Sequence, residues 1–358
     1  MRKYLFIGIV VLILILIPVL RNCESSPEID DADNQQTQVD AKIIYPERNE
    51  QFVVGDEIEM SIEVINSMNV SQMEVYLADE LITKLDGPSS QIVKIETKDS
   101  PVGTQALRFQ YIGADGKVHQ DVRNIVLFSD IKPVQKKIKV EDKRNHEVSA
   151  YTQGLEFYKG RMYESTGQYG TSYVAEVDLV NGYTLKKVDL PSTYFGEGLT
   201  ILNDTIYQIT WQSGVCKLYD MELKSIGEFA YTGEGWGLTN NGKSIIMSNG
   251  SDKIVWRDPK TFAITKEIQV VSDQSGIGNL NELELINGSL FANIYTDNKL
   301  VEIDTATGKV LSFIDASEIV IDQPIGVDYL NGIAHNKAAG KTYLTGKLWP
   351  SLYEVTFE

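Results

Sequence analysis

The sequence predicts an all-β protein, and two patterns in its 358 residues carry that prediction. The first is a short alternation of apolar and polar residues, clearest at 57–64, where Ile, Met, Ile and Val alternate with Glu and Ser. Successive side chains of a strand point to opposite faces, so such a run forms a strand with one face in water. The second is a set of Asp-led turns that return at near-regular spacing, each between two apolar runs.

The first pattern occupies residues 41–131. About seven short strands in this range, separated by turn residues, are typical of a sandwich of two sheets. We therefore predict an N-terminal immunoglobulin-like β-sandwich with a hairpin at 113–116. No cluster of catalytic residue types occurs here, so a spacer or adhesion role is expected. The polar segment 131–137 is predicted to link this domain to the next.

The second pattern comprises Asp178, Asp220, Asp258 and Asp304, at spacings of 42, 38 and 46 residues. An Asp side chain caps a hairpin turn by accepting bonds from nearby backbone N–H groups. This spacing is typical of one four-stranded propeller blade, and residues 137–358 can hold five of them. The sequence thus predicts a five-bladed β-propeller. Strands near 137–140 and 352–357 are expected to pair and close the ring, which removes an exposed sheet edge.

Residues 1–22 have the composition of an export signal. Arg2 and Lys3 precede an apolar run over residues 4–20, as a charged region precedes the hydrophobic region of a signal peptide. The segment that ends at Cys23 resembles the lipobox of bacterial lipoproteins, in which a lipid on the cysteine is the membrane anchor. The alternative is an uncleaved anchor, although a run of 17 residues, interrupted by Gly8 and Pro18, is at the short limit for crossing a bilayer.

Residues 23–40 contain no Lys or Arg and almost nothing apolar, which predicts a disordered acidic tether. The chain is therefore expected to be exported and membrane-anchored in the cell envelope, as a periplasmic or cell-surface lipoprotein. The net charge of −17 and the lack of a basic patch argue against a nucleic-acid partner. Cys216, the only other cysteine besides Cys23, is expected to be a small buried residue on a strand.

Six motifs in the second part of the chain place Glu, Trp, Asn and Lys beside glycines. Because glycine permits tight turns and close backbone approach, such polar residues are expected at strand ends that face a ligand. The motifs are Tyr151-Thr-Gln-Gly-Leu155, Phe195-Gly-Glu-Gly-Leu199, Gly233-Glu-Gly-Trp-Gly-Leu238, Asn281-Glu-Leu-Glu284, Leu330-Asn-Gly-Ile-Ala334 and Thr345-Gly-Lys-Leu-Trp-Pro350.

In this order, the motifs resemble those of the plant and bacterial type of glutaminyl cyclase, also called glutamine cyclotransferase. The resemblance covers about residues 137–358 and implies a five-bladed propeller. It also implies an activity: conversion of the N-terminal glutamine of peptides or proteins to pyroglutamate with release of ammonia. The family resemblance implies neither a metal nor another cofactor.

The resemblance assigns catalysis to Glu197 and Lys347. Glu197 matches the family's acid/base residue, which moves a proton from the attacking amine to the leaving nitrogen. Lys347 would supply positive charge to the developing oxyanion. The substrate-binding residues implied are Gln153, Trp211, Trp236, Asn281 and Tyr295. At Tyr295 the family commonly has Trp, so the pocket wall here is expected to be smaller and to carry a hydroxyl group.

Histidines offer little for a metal site, because His119, His146 and His335 are far apart in sequence and none has zinc spacing. His335 is expected to be a turn residue. An oxygen-liganded calcium ion in the propeller channel remains open at this point. Two alternatives to the cyclotransferase also remain: an inactive propeller that binds peptides or glycans at the envelope, and a propeller lactonase or sugar hydrolase with a channel metal.

Overall fold

The computed structural model describes residues 39–358. Residues 40–358 form one compact unit. The predicted signal segment 1–22, the lipidation site Cys23 and almost all of the tether 23–40 lie outside the described residues. Within residues 39–358, no helix is long and apolar enough to cross a membrane.

The chain is almost entirely β-strand, which confirms the all-β prediction. Its first part forms a three-stranded sheet, in the order β1-β3-β6, and a five-stranded sheet, in the order β2-β8-β7-β4-β5. The elements are β1 (Ala41–Tyr45), β2 (Glu50–Val53), β3 (Glu57–Val64), a short 3-10 helix (Ser67–Asn69), β4 (Val70–Leu77), β5 (Glu80–Leu85), β6 (Gln91–Glu96), β7 (Gly103–Gly113) and β8 (Val118–Phe128).

One hydrophobic cluster joins these two sheets. Ile58 and Met60 of β3 pack in the same cluster as Leu107 and Phe109 of β7. The alternating burial of β3 matches the predicted strand with one wet face. The predicted hairpin also forms, because β7 and β8 pair antiparallel on either side of residues 114–117. Strands β2 and β5 were not predicted, since each is short and half exposed.

The rest of the described chain forms three four-stranded sheets and one eight-stranded sheet. A parallel pairing of residues 134–137 with 312–315 joins two four-stranded antiparallel halves of the eight-stranded sheet, so there are five four-stranded antiparallel units. The long strand β9 (Val134–Asn145) enters the last of them. The first unit contains β10 (Thr152–Tyr158), β11 (Arg161–Thr166), β12 (Tyr173–Val177) and β13 (Thr184–Asp189). The second contains β14 (Gly196–Leu202), β15 (Thr205–Thr210), β16 (Val215–Tyr219) and β17 (Ser225–Ala230). The third contains β18 (Leu238–Asn240), β19 (Ile245–Ser248), β20 (Lys253–Arg257) and β21 (Ile264–Gln269). The other two are β22 (Leu280–Ile286), β23 (Ser289–Ile294), β24 (Lys299–Asp304), β25 (Val310–Asp315); and, after the helix α1 (Ser317–Ile321), β26 (Leu330–Asn336), β27 (Lys341–Gly346) and β28 (Ser351–Phe357) with β9.

The Asp-led turns have the predicted form. Each Asp lies between the third and fourth strands of a unit, and its side chain accepts a backbone N–H bond two or three residues further on. The donors to Asp178, Asp220, Asp258 and Asp304 are the N–H groups of Val180 (2.8 Å), Glu222 (3.1 Å), Lys260 (2.9 Å) and Thr307 (2.7 Å). The repeat in the sequence therefore marks the same turn in four successive units.

Strand β9 corrects the predicted linker at 131–137. Residues 134–137 pair in parallel with 312–315 of β25, and residues 138–145 pair antiparallel with β28. The predicted pairing of the two terminal strands is thus confirmed, but the linker prediction is wrong over its last four residues. Most side chains of β9 are exposed and polar, so the segment lacks the apolar alternation that identifies a strand.

The first strands of the five units contact one another in a closed series: β10 with β14, β14 with β18, β18 with β22, β22 with β26, and β26 with β10. Glycines make this approach possible. A side chain at Gly154 would collide with the backbone of Leu199, and one at Gly198 would collide with Leu238. The glycines beside the polar motif residues therefore provide the close backbone approach expected from the sequence, here between neighbouring strands.

Gly237 gives a direct test of this packing. A Cβ atom there would overlap the carbonyl oxygen of Asn281, while the backbone angle of Gly237 itself is ordinary. Because the obstacle is backbone, we expect Gly237→Ala to lower the free energy of unfolding by about 1–3 kcal/mol, as overpacking does. Urea denaturation measures this change. The control is Gly278→Ala, where nothing lies within 4 Å of the added atom. Equal stability of the two variants would contradict the proposed role of the glycines.

Candidate active site

A cavity of about 210 Å³ lies at the ends of these first strands. It is small for a ligand site, which suits a single side chain better than a large molecule. All seven catalytic and substrate-binding residues predicted from the sequence line it, and three further residues join them. The lining residues are Tyr151, Gln153, Gln168, Phe195, Glu197, Trp211, Trp236, Asn281, Tyr295 and Lys347.

Glu197 is the second residue of β14, and its side chain is buried. Burial raises the pKa of this carboxyl group well above its ordinary value; the positive charge of Lys347 opposes the shift, and the negative charge of Glu234 adds to it. A carboxyl group with a raised pKa in a cavity is suited to take up and return a proton near neutral pH.

Gln153 and Asn331 orient this carboxyl group. Gln153 Nε2 donates a hydrogen bond to Glu197 Oε1 at 3.0 Å, and Gln153 Oε1 accepts one from Asn331 Nδ2 at 2.9 Å. Asn331 Nδ2 also donates to the carbonyl oxygen of Thr152 at 3.1 Å. The amide of Gln153 is therefore held at both ends, with its donor directed at Glu197.

Lys347 enters the cavity between two aromatic rings. Its ammonium nitrogen lies 5.0 Å from the ring centre of Tyr151 and 4.7 Å from that of Tyr295. Burial lowers the pKa of Lys347, and the charges of Glu197 and Asp328 act in the opposite direction. Since ring faces attract a cation without neutralising it, the charge of Lys347 stays available to a ligand.

Two tryptophans form walls of the cavity. Trp211 and Trp236 both donate their indole N–H to Glu234 Oε2, at 2.9 and 3.0 Å. Phe195 meets Trp211 edge-on, with ring centres 5.7 Å apart, and Tyr295 meets Trp236 edge-on at 5.5 Å. Aromatic rings in such contacts form a flat apolar enclosure with few polar atoms.

Asn281 supplies a polar group in this enclosure. Its side chain is buried, and its Oδ1 has no hydrogen-bond partner among residues 39–358. Buried amide groups nearly always have partners, so one left unpaired at a cavity wall is suited to a ligand. Asn281 is the second residue of β22, as Glu197 is of β14 and Gln153 of β10.

Comparison with known proteins agrees with this geometry. A family model described as glutamine cyclotransferase matches residues 118–357. The chain belongs to the glutamine cyclotransferase family. A glutaminyl-peptide cyclotransferase of Arabidopsis thaliana is 36% identical over 220 residues, which cover 59% of this chain and 68% of that protein. The crystal structure of Myxococcus xanthus glutaminyl cyclase superimposes with a TM-score of 0.60 at 32% identity, over 63% of this chain and 99% of that one.

The three histidines of this glutamine cyclotransferase lie outside the cavity. His335 is a buried strand residue of β26 that bonds Thr342 Oγ1 at 2.9 Å, so the prediction of a turn residue is wrong. His146 is buried against Glu164, with Nε2 3.1 Å from Oε1. Residues 39–358 contain no group of three or more His, Cys, Asp or Glu side chains arranged to hold a metal ion.

Sequence reasoning missed several residues of the cyclotransferase site, although the signal for one of them was present. Asn331 stands before Gly-Ile in its motif, as Gln153, Glu197 and Trp236 each stand before Gly-Leu. This repeated position is the start of a first strand, where side chains of successive units converge. Glu234 lies in a quoted motif, but no pattern in the sequence shows that it bonds two tryptophans.

Proposed function

We infer that this chain is a glutaminyl-peptide cyclotransferase, which converts the N-terminal glutamine of peptides to pyroglutamate and releases ammonia. The observation that carries this inference is the convergence of Glu197, Lys347 and the two tryptophans in one cavity. Cyclisation needs one proton carrier, one positive charge for the oxyanion and an enclosure that folds the side chain back on the amine. The cavity supplies all three.

The proton movements can be followed on this chain's own residues. The carboxylate of Glu197 takes a proton from the substrate's α-ammonium group, a transfer that its raised pKa favours. The freed amine attacks the side-chain amide carbon, forming the ring C–N bond, and Lys347 stabilises the oxyanion. Glu197 then protonates the leaving nitrogen and recovers a proton from the ring nitrogen. The old C–N bond breaks, and ammonia departs with that last proton as ammonium.

The remaining cavity residues position the substrate. The apolar walls exclude water, which would compete with the amine for the amide carbon. The unpaired amide oxygen of Asn281 is placed to bind a polar atom of the glutamine. Gln153 Nε2 carries a second N–H besides the one that bonds Glu197, and Gln153 lines the same cavity. Because Gln153 is held by Asn331, its donor is oriented before the substrate binds.

Release of ammonia from a Gln-initiated dipeptide by the purified protein tests this function. An Asn-initiated dipeptide is the control, since its shorter side chain cannot close the same five-membered ring. The inactive binding module considered above would bind the first peptide without releasing ammonia. Failure to release ammonia from the Gln-initiated dipeptide would overturn the proposed activity.

For the architecture, we propose a five-bladed β-propeller at 137–358 that follows an immunoglobulin-like β-sandwich at 41–131. Five four-stranded units with first strands in a closed series support the propeller. Two sheets around one hydrophobic cluster support the sandwich. The two regions also touch: Val271 packs in the sandwich cluster, and Gln269 Oε1 accepts a bond from the Thr104 N–H at 2.8 Å.

Truncation tests this division. A chain beginning at Asp130 keeps all of β9 and the bond from Lys309 Nζ to Asp130 Oδ1 (2.6 Å), so it should fold and retain activity. A chain beginning at Lys137 loses the pairing of 134–136 with 312–314, and each lost hydrogen bond costs about 0.5–1.5 kcal/mol. We expect a lower unfolding midpoint in urea for the shorter chain. Loss of folding in both would contradict an independent propeller.

For location, we propose that the protein is exported and held at the cell-envelope membrane, with peptide substrates outside the cytoplasm. The basic and apolar composition of residues 1–22 and the position of Cys23 support this proposal. Cys23→Ser is expected to abolish lipid attachment, so that the protein is released from membranes or stays unprocessed. Unchanged mobility and membrane fractionation of Cys23→Ser would contradict a lipoprotein but not an uncleaved anchor. The net charge of −17 supports the absence of a nucleic-acid partner.

A further inference from the structure

Glu234 bonds two aromatic residues that line the cavity but is not itself one of the lining residues. Its carboxylate accepts three side-chain N–H bonds. Trp211 and Trp236 donate to Oε2, and Gln212 Nε2 donates to Oε1 at 2.9 Å. Burial alone would raise the pKa of Glu234, but these hydrogen bonds outweigh it and hold the pKa below its ordinary value. Glu234 is therefore a charged acceptor at neutral pH.

One oxygen that accepts two indole N–H groups fixes the two rings relative to each other. The rings come from separate segments of the chain, since Trp211 follows β15 and Trp236 precedes β18. The ring of Trp236 also lies against Gly250, where any side chain would collide with it, and edge-on to Tyr295. Bonds to a charged acceptor are shorter and stronger than neutral ones, so this contact restrains both indoles.

Glu234 also acts on Glu197 through its charge. A nearby negative charge disfavours the ionised form of a carboxyl group, and Glu234 thereby helps to keep the pKa of Glu197 high. Among residues 39–358, the other charged or titratable groups with an electrostatic interaction with Glu197 are Lys347, Tyr151, Tyr231 and Tyr295. Of these five groups, Glu234 is the one whose negative charge opposes ionisation at neutral pH.

We propose that Glu234 is a positioning residue that clamps the indoles of Trp211 and Trp236 and so sets the glutamine-binding walls before the substrate arrives. Its contribution to turnover rests on the proposed cyclotransferase function, whereas the clamp itself does not. A misplacement of about 1 Å in a positioned group can cost on the order of 10²-fold in rate. A substitution at Glu234 that frees the indoles should therefore impair an otherwise intact catalytic pair.

The clamp can be tested without substrate by acrylamide quenching of tryptophan fluorescence. Of the four tryptophans, Trp256 and Trp349 are buried in hydrophobic clusters at 6% and 0% exposure, so quenching reports mainly on Trp211 and Trp236. Glu234→Ala is expected to increase quenching. Glu234→Gln should leave it nearly unchanged, because one amide oxygen can still accept both indole bonds. Glu222→Ala, at an exposed turn, is the matched control.

Steady-state kinetics can distinguish the positioning of the two indoles by Glu234 from the effect of its charge on Glu197. Glu234→Ala should lower kcat/KM by about 10–100-fold, largely through KM, because the walls bind the glutamine side chain. Glu234→Gln should keep KM but shift the acidic limb of the pH profile of kcat/KM to lower pH. Loss of the negative charge at residue 234 lowers the pKa of Glu197. If Glu234→Ala does not fold, Glu234→Asp replaces it, because its shorter side chain cannot reach both indoles.

Unchanged quenching and unchanged KM in Glu234→Ala, or in Glu234→Asp where that variant replaces it, would overturn the proposal. If Glu234→Ala shows increased quenching but the unmodified protein releases no ammonia, the positioning role of Glu234 is supported and the proposed reaction is refuted. The two failures are therefore distinguishable.

Discussion

Glu197→Gln is expected to lower kcat on a Gln-initiated peptide by on the order of 10²–10⁴-fold, the usual contribution of a general acid/base group. An amide cannot take up and return a proton at neutral pH. It can still accept the bond from Gln153 Nε2, so the geometry of the cavity should survive. KM should therefore change little, and steady-state kinetics on one peptide measures both quantities.

Glu284→Gln is the control for this substitution. Glu284 is also a buried carboxyl group, but it lies outside the active-site cavity and accepts the backbone N–H of His335 at 3.1 Å. Burial, with the charge of Glu156, raises the pKa of Glu284 well above its ordinary value. Gln keeps an oxygen that can accept the N–H of His335, so Glu284→Gln should be well tolerated. Near-normal turnover by Glu197→Gln beside an inactive Glu284→Gln would mean that the proton carrier is misassigned.

Lys347→Met is expected to lower kcat/KM by about 10²–10³-fold, which is the usual cost of losing one group that stabilises an oxyanion. Methionine keeps the length of the side chain between Tyr151 and Tyr295 but removes the charge. Lys266→Met is the matched control. Lys266 also places its ammonium over an aromatic ring, 4.6 Å from the centre of Trp256, outside the active-site cavity. Equal losses in the two variants would point to a packing role for Lys347.

The pH profile gives an independent check on Lys347. Burial lowers its pKa, so the group loses its charge at a lower pH than an exposed lysine does. Turnover should therefore fall on the alkaline side as Lys347 deprotonates, because the neutral amine stabilises the oxyanion less. Lys347→Met should lack this alkaline fall while working at a lower plateau. An unchanged alkaline limb in the variant would assign that limb to another group.

The sequence was sufficient for features with a local cause. The turns at Asp178 and Asp304 could be predicted because one side chain caps its own turn. The strand at 57–64 could be predicted because one face is buried and the other is exposed to solvent. The seven site residues could be named because their motifs resemble those of a family, and the structure brings all seven to one cavity.

Features that depend on distant partners could not be predicted. Strand β9 is polar because most of its side chains face solvent, and its pairing with β25 and β28 is non-local. His335 looked like a turn residue because Asn and Gly surround it, yet its partner Thr342 lies on the neighbouring strand. The link between Glu234 and Trp211 joins residues 23 positions apart, and it appears only when the units are assembled.

We propose that the substrate's own amine, and not water, attacks the side-chain amide in the cavity of Glu197 and Lys347. The most direct measurement is mass spectrometry of a Gln-initiated peptide, labelled with heavy nitrogen in its side-chain amide, after incubation with the protein in water labelled with heavy oxygen. We expect all of the heavy nitrogen to leave as ammonia, and the pyroglutamyl product to contain no heavy oxygen. A product that has gained heavy oxygen and carries an N-terminal glutamate would rule out attack by the amine, because water would then be the nucleophile.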